Sequence, residues 1–407
     1  MPFWTSIASM PATESPALIA LASNDWHTNW MNRQQILSRL AQRGWQVIYS
    51  TGVPWIWQIG GAAGRHMPWL WHTVEQDGVT LVEPSRLLPR WQRWRAWDTL
   101  AVRAHAARMR ALVPRDKRGE LTAMVFDPEF FPFIEHLRPA RVVFHVRDAY
   151  AWMPGWTDQA NAQFEALQRR ADLITIASTM IRETLLPEVA GKTRCLMNGA
   201  DIAAAMAGPA APCPEDLAAI PGPRIGYVGV ISLKVDIDLI GSLADRHPDW
   251  HWVFIGPLAG LGSQQDAASR WERFIARHNV HWLGERKHFE VPAYVGHMDV
   301  NIMPYVTDER AGRWARFAYP LKLHEYLATG LPTISADLPE LYQHRDVLEV
   351  VDGLEAWDAA LCRAVAGEAP GSTEARQAVA REHSWDRRVD DLDGWLRSLS
   401  RSEAASR

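Results

Sequence analysis

Residues 319–334 read YPLKLHEYLATGLPTI. Pro320 fits a first helical turn, where its missing N–H costs nothing. Gly330 fits the position just past a helix end, and Pro332 blocks continuation. The spacing predicts a helix near 320–329 that runs at once into a buried strand, PTISA. Lys322 in the first turn is the anomaly, because free helix N–H groups there already carry partial positive charge. An anion resolves the conflict: helix amides and a lysine together make a phosphate site. Glu325, one turn on, can accept two hydrogen bonds from a vicinal diol such as a ribose. The plainer alternative is a solvated Lys–Glu pair worth about a few tenths of a kcal/mol.

Working outward, the same helix-into-strand pattern recurs. LIALA (18–22), QVIYS (46–50), AMVFD (123–127), RVVFHV (141–146), DLITIAS (172–178) and TRCLM (193–197) read as strands. Helical patterns lie between them at 31–44 and 157–171. GPAAPCPEDLAAIPGPR (208–224) is the best linker, after which RIGYVG, HWVFIG, VHWLG, DVNIMPY and PTISA restart the alternation. Alternating strands and helices imply parallel β–α units. The fold class is therefore α/β: two tandem doubly wound Rossmann-like domains with a cleft between them, where such folds bind ligands. The division is a leader at 1–16, a first domain at 17–207, a linker at 208–223, a second domain at 224–382 and a closing helix at 383–407.

A chain of 407 residues is too long for one ordinary core, which also argues for two domains. The net charge of −4 gives no global nucleic-acid signature. Cys195, Cys213 and Cys362 show neither metal spacing nor a disulfide framework, in keeping with a reducing cytosol. MPFWTSIASMPATESPA lacks the basic start and apolar core of a signal peptide. No run of 18 apolar residues offers a membrane span.

Other candidates fall at strand ends. Gly229 closes RIGYVG and lets a backbone approach a ligand, with Lys234 in the next loop able to meet phosphate. An ordinary strand–helix turn explains them equally. DID at 236–238 suits a helix start better than a metal. Asp148 follows the strand RVVFHV and could act as general base on a hydroxyl or cap a turn. Asn24, Asp25, Trp26 and His27, after the first strand, could hold an acceptor sugar or form a capping turn. Glu285 and Tyr305 also sit at strand ends. Residues 86–118 carry ten Lys/Arg against Asp98 and Asp116, a net +8. Trp91, Trp94 and Trp97 recur there at i, i+3, i+6 beside Arg90, Arg93 and Arg95, a pattern that suits an anionic membrane surface. A solvated basic helix packed by its tryptophans is the alternative.

FHVRD, RRADLITIAS, MNGAD, GYVG and above all K-x-x-E-Y-x-A-x-G-x-P (322–332) together resemble the two-domain GT-B glycosyltransferases of bacterial polysaccharide assembly. The likeness is to the family-4-like sugar transferases and, more weakly, to the glucuronosyltransferase of xanthan assembly, over roughly 18–400. It implies a metal-independent transferase, with no permanently bound cofactor, that takes a UDP- or GDP-sugar as donor. It implies a lipid-linked saccharide acceptor and a cytoplasmic place at the inner membrane face. Glu325 resembles the second glutamate of the family's pair, on the donor ribose. Lys322 and Lys234 resemble the basic residues on the diphosphate, with Glu285 and Tyr305 nearby. Asp148 resembles the aspartate proposed as base in the xanthan-type enzyme, which implies inversion. The first glutamate would fall at position 317, where this chain has Phe317. A nucleotide-sugar epimerase of the same fold and a non-catalytic partner subunit are the competing readings.

Overall fold

The computed structural model describes residues 15–27, 30–61, 64, 67–91, 93–153, 155–260, 265–308 and 315–404. Most of the leader assigned to 1–16 lies outside them. The first sheet holds β1 (Ala17–Leu21), β2 (Gln46–Ser50), β3 (His72–Gln76), β4 (Val79–Glu83), β5 (Thr122–Val125), β6 (Arg141–Val146), β7 (Leu173–Ile176) and β8 (Thr193–Cys195). The second holds β9 (Arg224–Val228), β10 (His251–Ile255), β11 (Val280–Trp282), β12 (Val300–Met303), β13 (Thr333–Ala336) and β14 (Glu349–Val351). The orders are β3-β4-β2-β1-β5-β6-β7-β8 and β11-β10-β9-β12-β13-β14. Every pairing is parallel except β3 with β4. Two doubly wound α/β bodies are thus present, and their strands read as continuous apolar runs because helices cover both faces.

In each sheet the chain reverses direction at one point, between β1 and β5 and between β9 and β12. Loops leaving the carboxyl ends of such strands diverge and open a crevice. Gly229 and Tyr305 leave the second switch point, and Ser23–His27 and Asp127 leave the first.

Four helices matter below: α1 (Asn32–Gln42), α2 (Arg95–Leu112), α3 (Lys322–Thr329) and α4 (Trp385–Ala404). The last returns to the first domain. Trp385, Val389, Leu392 and Leu396 are buried with β1 and β2 side chains, and Arg43 meets Asp390 at 2.7 Å. The stretch read as a linker is not loose. Leu217 and Ile220 are buried in the second domain's core, and Gly208 lies so close to Pro292 that a Cβ would fall 2.1 Å from its carbonyl oxygen.

The hairpin β3–β4 escaped the strand reading because HTVEQ is polar and half exposed. Its turn was legible, however. Asp77 and Gly78 have φ of 53° and 78°, the paired positive values that an Asp-Gly hairpin turn supplies.

Candidate active site

One large cleft of about 1760 Å³ runs between the domains, lined from both. On the second-domain side, α3 starts at Lys322, one residue after Leu321, and ends at Gly330 in the left-handed region (φ 80°). Leu323, His324, Tyr326, Leu327 and Ala328 bury one face. Lys322 and Glu325, three apart, are left facing the cleft. Tyr326 fixes the helix to the switch point: its hydroxyl accepts from Val228 N–H at 2.8 Å and lies 3.3 Å from the same residue's carbonyl.

Lys322 is clamped. Its ammonium donates to Tyr305 Oη at 2.7 Å, lies 3.5 Å from Tyr227 Oη, and sits 4.7 and 5.1 Å from the two ring centroids. Burial works to lower its pKa, but the surrounding tyrosine oxygens outweigh this and raise it, so it stays charged. Gly229 (φ 144°) is required beside it, since a Cβ there would come within 3.0 Å of Lys322 Cε and Nζ. Gly256, after β10, has φ 138°, and its Cβ would fall 2.1 Å from the Gly229 carbonyl oxygen. Sequence reading missed Gly256, although the ending HWVFIG repeats that of RIGYVG. Burial pushes the Glu325 carboxyl up to about 7, against the pull of Lys322 and with help from Asp201.

Lys234 is exposed on the loop after Gly229 and lines the same cleft. Its carbonyl accepts from Val306 N–H at 2.9 Å, which ties it to the Tyr305 loop. Glu285 lines the cleft and is exposed. Asp236 of the DID string caps a helix by accepting from Leu239 N–H at 3.1 Å, and Asp238 pairs with Arg270 at 3.0 Å.

The first-domain side is built on Asp127 and Arg147. Asp127 accepts from Ser23 N and Oγ at 2.8 and 2.9 Å. Arg147 donates to Asp127 at 2.8 Å and to Asn24 Oδ1 at 3.2 Å. Asp148 lines the cleft with its side chain 43% exposed and one oxygen 3.5 Å from Arg147 Nε. Trp26 and His27 line the cleft, but the Trp26 ring is buried, with its N–H on Asp77 at 3.1 Å. Asn24 and Asp25 are corrected: they stand outside the lining. Arg147 occupies the Asn24 amide oxygen, and Asp25 accepts from His27 N–H at 2.7 Å. Asn29, also polar in that stretch, lies outside the described residues. His145 is buried between Asn32 and Thr175 and is pushed down to about 3 by burial.

The residues around 90–97 lie away from the cleft, and their helix reading needs correcting. α2 begins only at Arg95, so Trp91 and Trp94 sit in the loop before it. Arg90 is buried, pairs with Asp98 at 2.9 Å and lies 4.2 Å over Trp55, so it cannot face a membrane. Trp97 donates to Pro89 O at 2.7 Å.

Sequence reading also missed the contacts that join the two domains. Trp30 stacks on His288 with centroids 5.0 Å apart. Glu340 is buried and accepts from Ser178 Oγ, Thr179 Oγ1 and Met180 N at 2.7, 2.8 and 2.6 Å. Phe317, where the resemblance called for a glutamate, lines the cleft and packs against the first domain's core. Behind α3, His324, His344 and His383 place one nitrogen each within 4.8 Å of the others. Tyr319 Oη lies 2.5 Å from His324 Nε2 and 3.3 Å from His344 Nε2. His324 and His383 stack in parallel at 4.1 Å, and Arg388 donates to His383 Nδ1. Parallel rings aim their lone pairs along separate planes, so the trio reads as packing rather than a metal clamp.

Two doubly wound bodies, a cleft at both switch points and a cross-over helix decide the architecture. The fold is GT-B. Residues 222–367 match the family model described as glycosyl transferases group 1, so the second domain of this GT-B chain is of the glycosyltransferase type. The putative teichuronic acid biosynthesis glycosyltransferase TuaH of Bacillus subtilis (strain 168) is 27% identical over 293 residues, 68% of this chain and 72% of that protein. Among solved GT-B structures, sucrose-phosphate synthase from Thermosynechococcus elongatus superposes with a TM-score of 0.70 at 15% identity, covering 95% of this chain and all (100%) of that one. Anabaena Alr3699/HepE in complex with UDP superposes with 0.68 at 14%, covering 94% and 100%.

Proposed function

We propose that this chain moves a sugar from a nucleoside-diphosphate sugar, held by the second domain, to a saccharide acceptor on the first. The observation that carries the reading is the cleft-facing side of α3. It presents a clamped cation and a carboxylate beside two glycines that open the backbone at a switch point. The start of α3 and Lys322 stabilise the departing diphosphate, with Lys234 at its other side. Glu325 takes the ribose hydroxyls. Glu285 and Tyr305 complete the donor wall, Tyr305 by holding Lys322. UDP in the Anabaena neighbour supports a uridine donor, with GDP as the alternative. The relative named for teichuronic acid biosynthesis supports a saccharide acceptor; its being a cell-surface polysaccharide, lipid-linked at the inner membrane, is part of the proposal.

In the transfer the acceptor hydroxyl attacks the anomeric carbon while the bond from that carbon to the diphosphate oxygen breaks. The hydroxyl proton passes to Asp148, and the nucleoside diphosphate leaves with both bonding electrons. Asp148 is open to the cleft and is steered by Arg147, which suits a base and an inverting outcome. Closure of the domains brings the two walls together.

Lys322→Ala tests the reading. Transfer from the UDP- or GDP-sugar should fall about 10²- to 10³-fold, with the unfolding temperature little changed. Undiminished transfer would remove the diphosphate assignment.

A further inference from the structure

Away from the cleft, one side-chain cluster on the second domain has the chemistry of a metal site. His247 directly follows the helix Ile237–Arg246, and Asp358 and Cys362 lie four residues apart on the helix Leu354–Val365, so they share one face of it. One imidazole nitrogen, one carboxylate oxygen and the thiol sulfur all lie within 4.8 Å of one another. His247 Nε2 is 2.5 Å from Asp358 Oδ1. The ligand atoms of a tetrahedral zinc ion stand roughly 3.2 to 3.8 Å apart, given bonds of about 2.0 Å to nitrogen and oxygen and about 2.3 Å to sulfur. Parting the imidazole and the carboxylate by about 1 Å while the thiol turns inward therefore makes room for the ion. Spacing along the chain hides the set, because His247 is 111 residues from Asp358.

The surroundings aim these groups and leave them the right charge. The His247 ring lies flat on Trp250, with centroids 3.8 Å apart and planes 8° apart. Arg246 holds the other Asp358 oxygen at 3.2 Å and Glu355 at 2.5 Å, the kind of outer support that orients a ligand. The charges of Arg246 and Glu355 cancel. Arg363, beside Cys362 in the chain, is spent on Glu349 at 2.8 Å. Asp358 and a Cys362 thiolate then offer two negative charges to a divalent ion. A nitrogen, a thiolate and a carboxylate select a borderline-soft cation such as zinc over magnesium or calcium, which prefer oxygen alone. The His247 and Asp358 side chains are 20 and 26% exposed and Cys362 is exposed, so water can reach a fourth position.

We propose that His247, Asp358 and Cys362 bind a zinc ion, with water as the fourth ligand. The thiol gives up its proton to solvent as the sulfur binds, and the imidazole keeps one proton on its other nitrogen. The ion ties together two helices that cover one face of the second sheet, where Ile240, Leu243, Trp357 and Leu361 are buried in the same core. None of the three ligands lines the cleft. Helices that return from the carboxyl ends of strands finish at the opposite edge of the sheet, so the ion's role is to fasten the domain and stands apart from the transfer reading.

Dialysis of the untagged, reduced protein against zinc, followed by elemental analysis, should find about one equivalent retained. Zinc should slow modification of Cys362 by a thiol reagent, read by peptide mapping, about 10-fold or more, and should raise the unfolding temperature. Cobalt(II) in its place should give the thiolate-to-metal absorption band of a four-coordinate ion. Cys362→Ser should remove that band, and His247→Gln should lose the retained zinc. Cys362 is exposed, so the serine variant should fold like the parent, and the glutamine variant provides the check if it does not. No retained zinc, equal modification of Cys362 with and without zinc, or a cobalt band that outlasts Cys362→Ser overturns the proposal. Zinc that both variants retain and His383→Gln loses also overturns it, and puts the ion among the histidines behind α3.

Discussion

The two walls of the cleft are made differently. The second-domain wall is rigid: Tyr326 bonds α3 to the end of β9, two tyrosines grip Lys322, and Gly229 and Gly256 cross where no Cβ fits. The first-domain wall is a set of loops tied by one Asp127–Arg147 network, with Asp148 reaching out into solvent. On the proposed reading the second wall meets a fixed diphosphate and ribose, so it can be preorganised, and its electrostatics then cost no rearrangement at the moment of transfer. A wall that meets a particular acceptor is better made of loops on a stable frame.

The sharpest way to break this comparison is Asp148→Asn. If the first wall supplies the base, turnover should fall about 10²- to 10⁴-fold while nucleotide affinity on the second wall is unchanged. A parallel loss of nucleotide affinity would show that the walls are not independent. Phe317→Glu asks next whether the resemblance's missing carboxylate can be restored. Phe317 packs on the first domain's core at the wall of the cleft, so the new carboxylate should lose that packing and be partly desolvated, at a cost of about 1 to 3 kcal/mol in denaturant unfolding. A stable, more active variant would mean that the loop carrying Phe317 can re-aim its side chain towards the donor.

Glu325→Gln gives a smaller effect. If Glu325 holds the ribose as proposed, losing that charge-assisted bond should weaken nucleotide binding about 10-fold. The native carboxyl, raised to about 7 by burial, is part protonated near neutrality. Ribose hydroxyls that donate to it favour the ionised form, so binding should release a proton, most strongly around pH 6 to 7.5. Calorimetry in buffers of different ionisation enthalpy would read that release, and Glu325→Gln should remove it.

The mildest prediction concerns the histidines behind α3. Burial lowers the pKa of His324 well below 6.5, takes His383 to about 4 with Arg388 adding to the effect, and lowers His344. Their folded values lie below the unfolded one, so the unfolded chain binds protons first on acidification. Stability should be full above pH 6.5 and fall steadily toward pH 4. His383→Gln should flatten that slope in thermal unfolding, while an unchanged slope would clear the trio of any part in it.

Much was legible in the chain alone, because local physics decides it. Ten or so short apolar runs with helical spacing between them declare parallel β–α units. The end of α3 at Gly330 follows from the need for a left-handed residue. Lys322 stood out as a cation at the wrong end of a helix, and Glu325 followed from its spacing. What spacing could not give was partnership across domains. Arg90 read as a surface cation, yet Asp98 and Trp55 draw it inside. Asn24 read as free for a sugar, yet Arg147, 123 residues away, holds it. Phe317 read as a missing glutamate, yet it packs on the other domain's core at the wall of the cleft. The amphipathic pattern at Trp91, Trp94 and Trp97 implied one helix, but the helix starts at Arg95. Periodicity and caps depend on neighbours within a few residues, so the sequence alone determined most of the apolar strands and the helix at 322–329. Burial and pairing depend on which distant surfaces meet, and only the tertiary structure decided those.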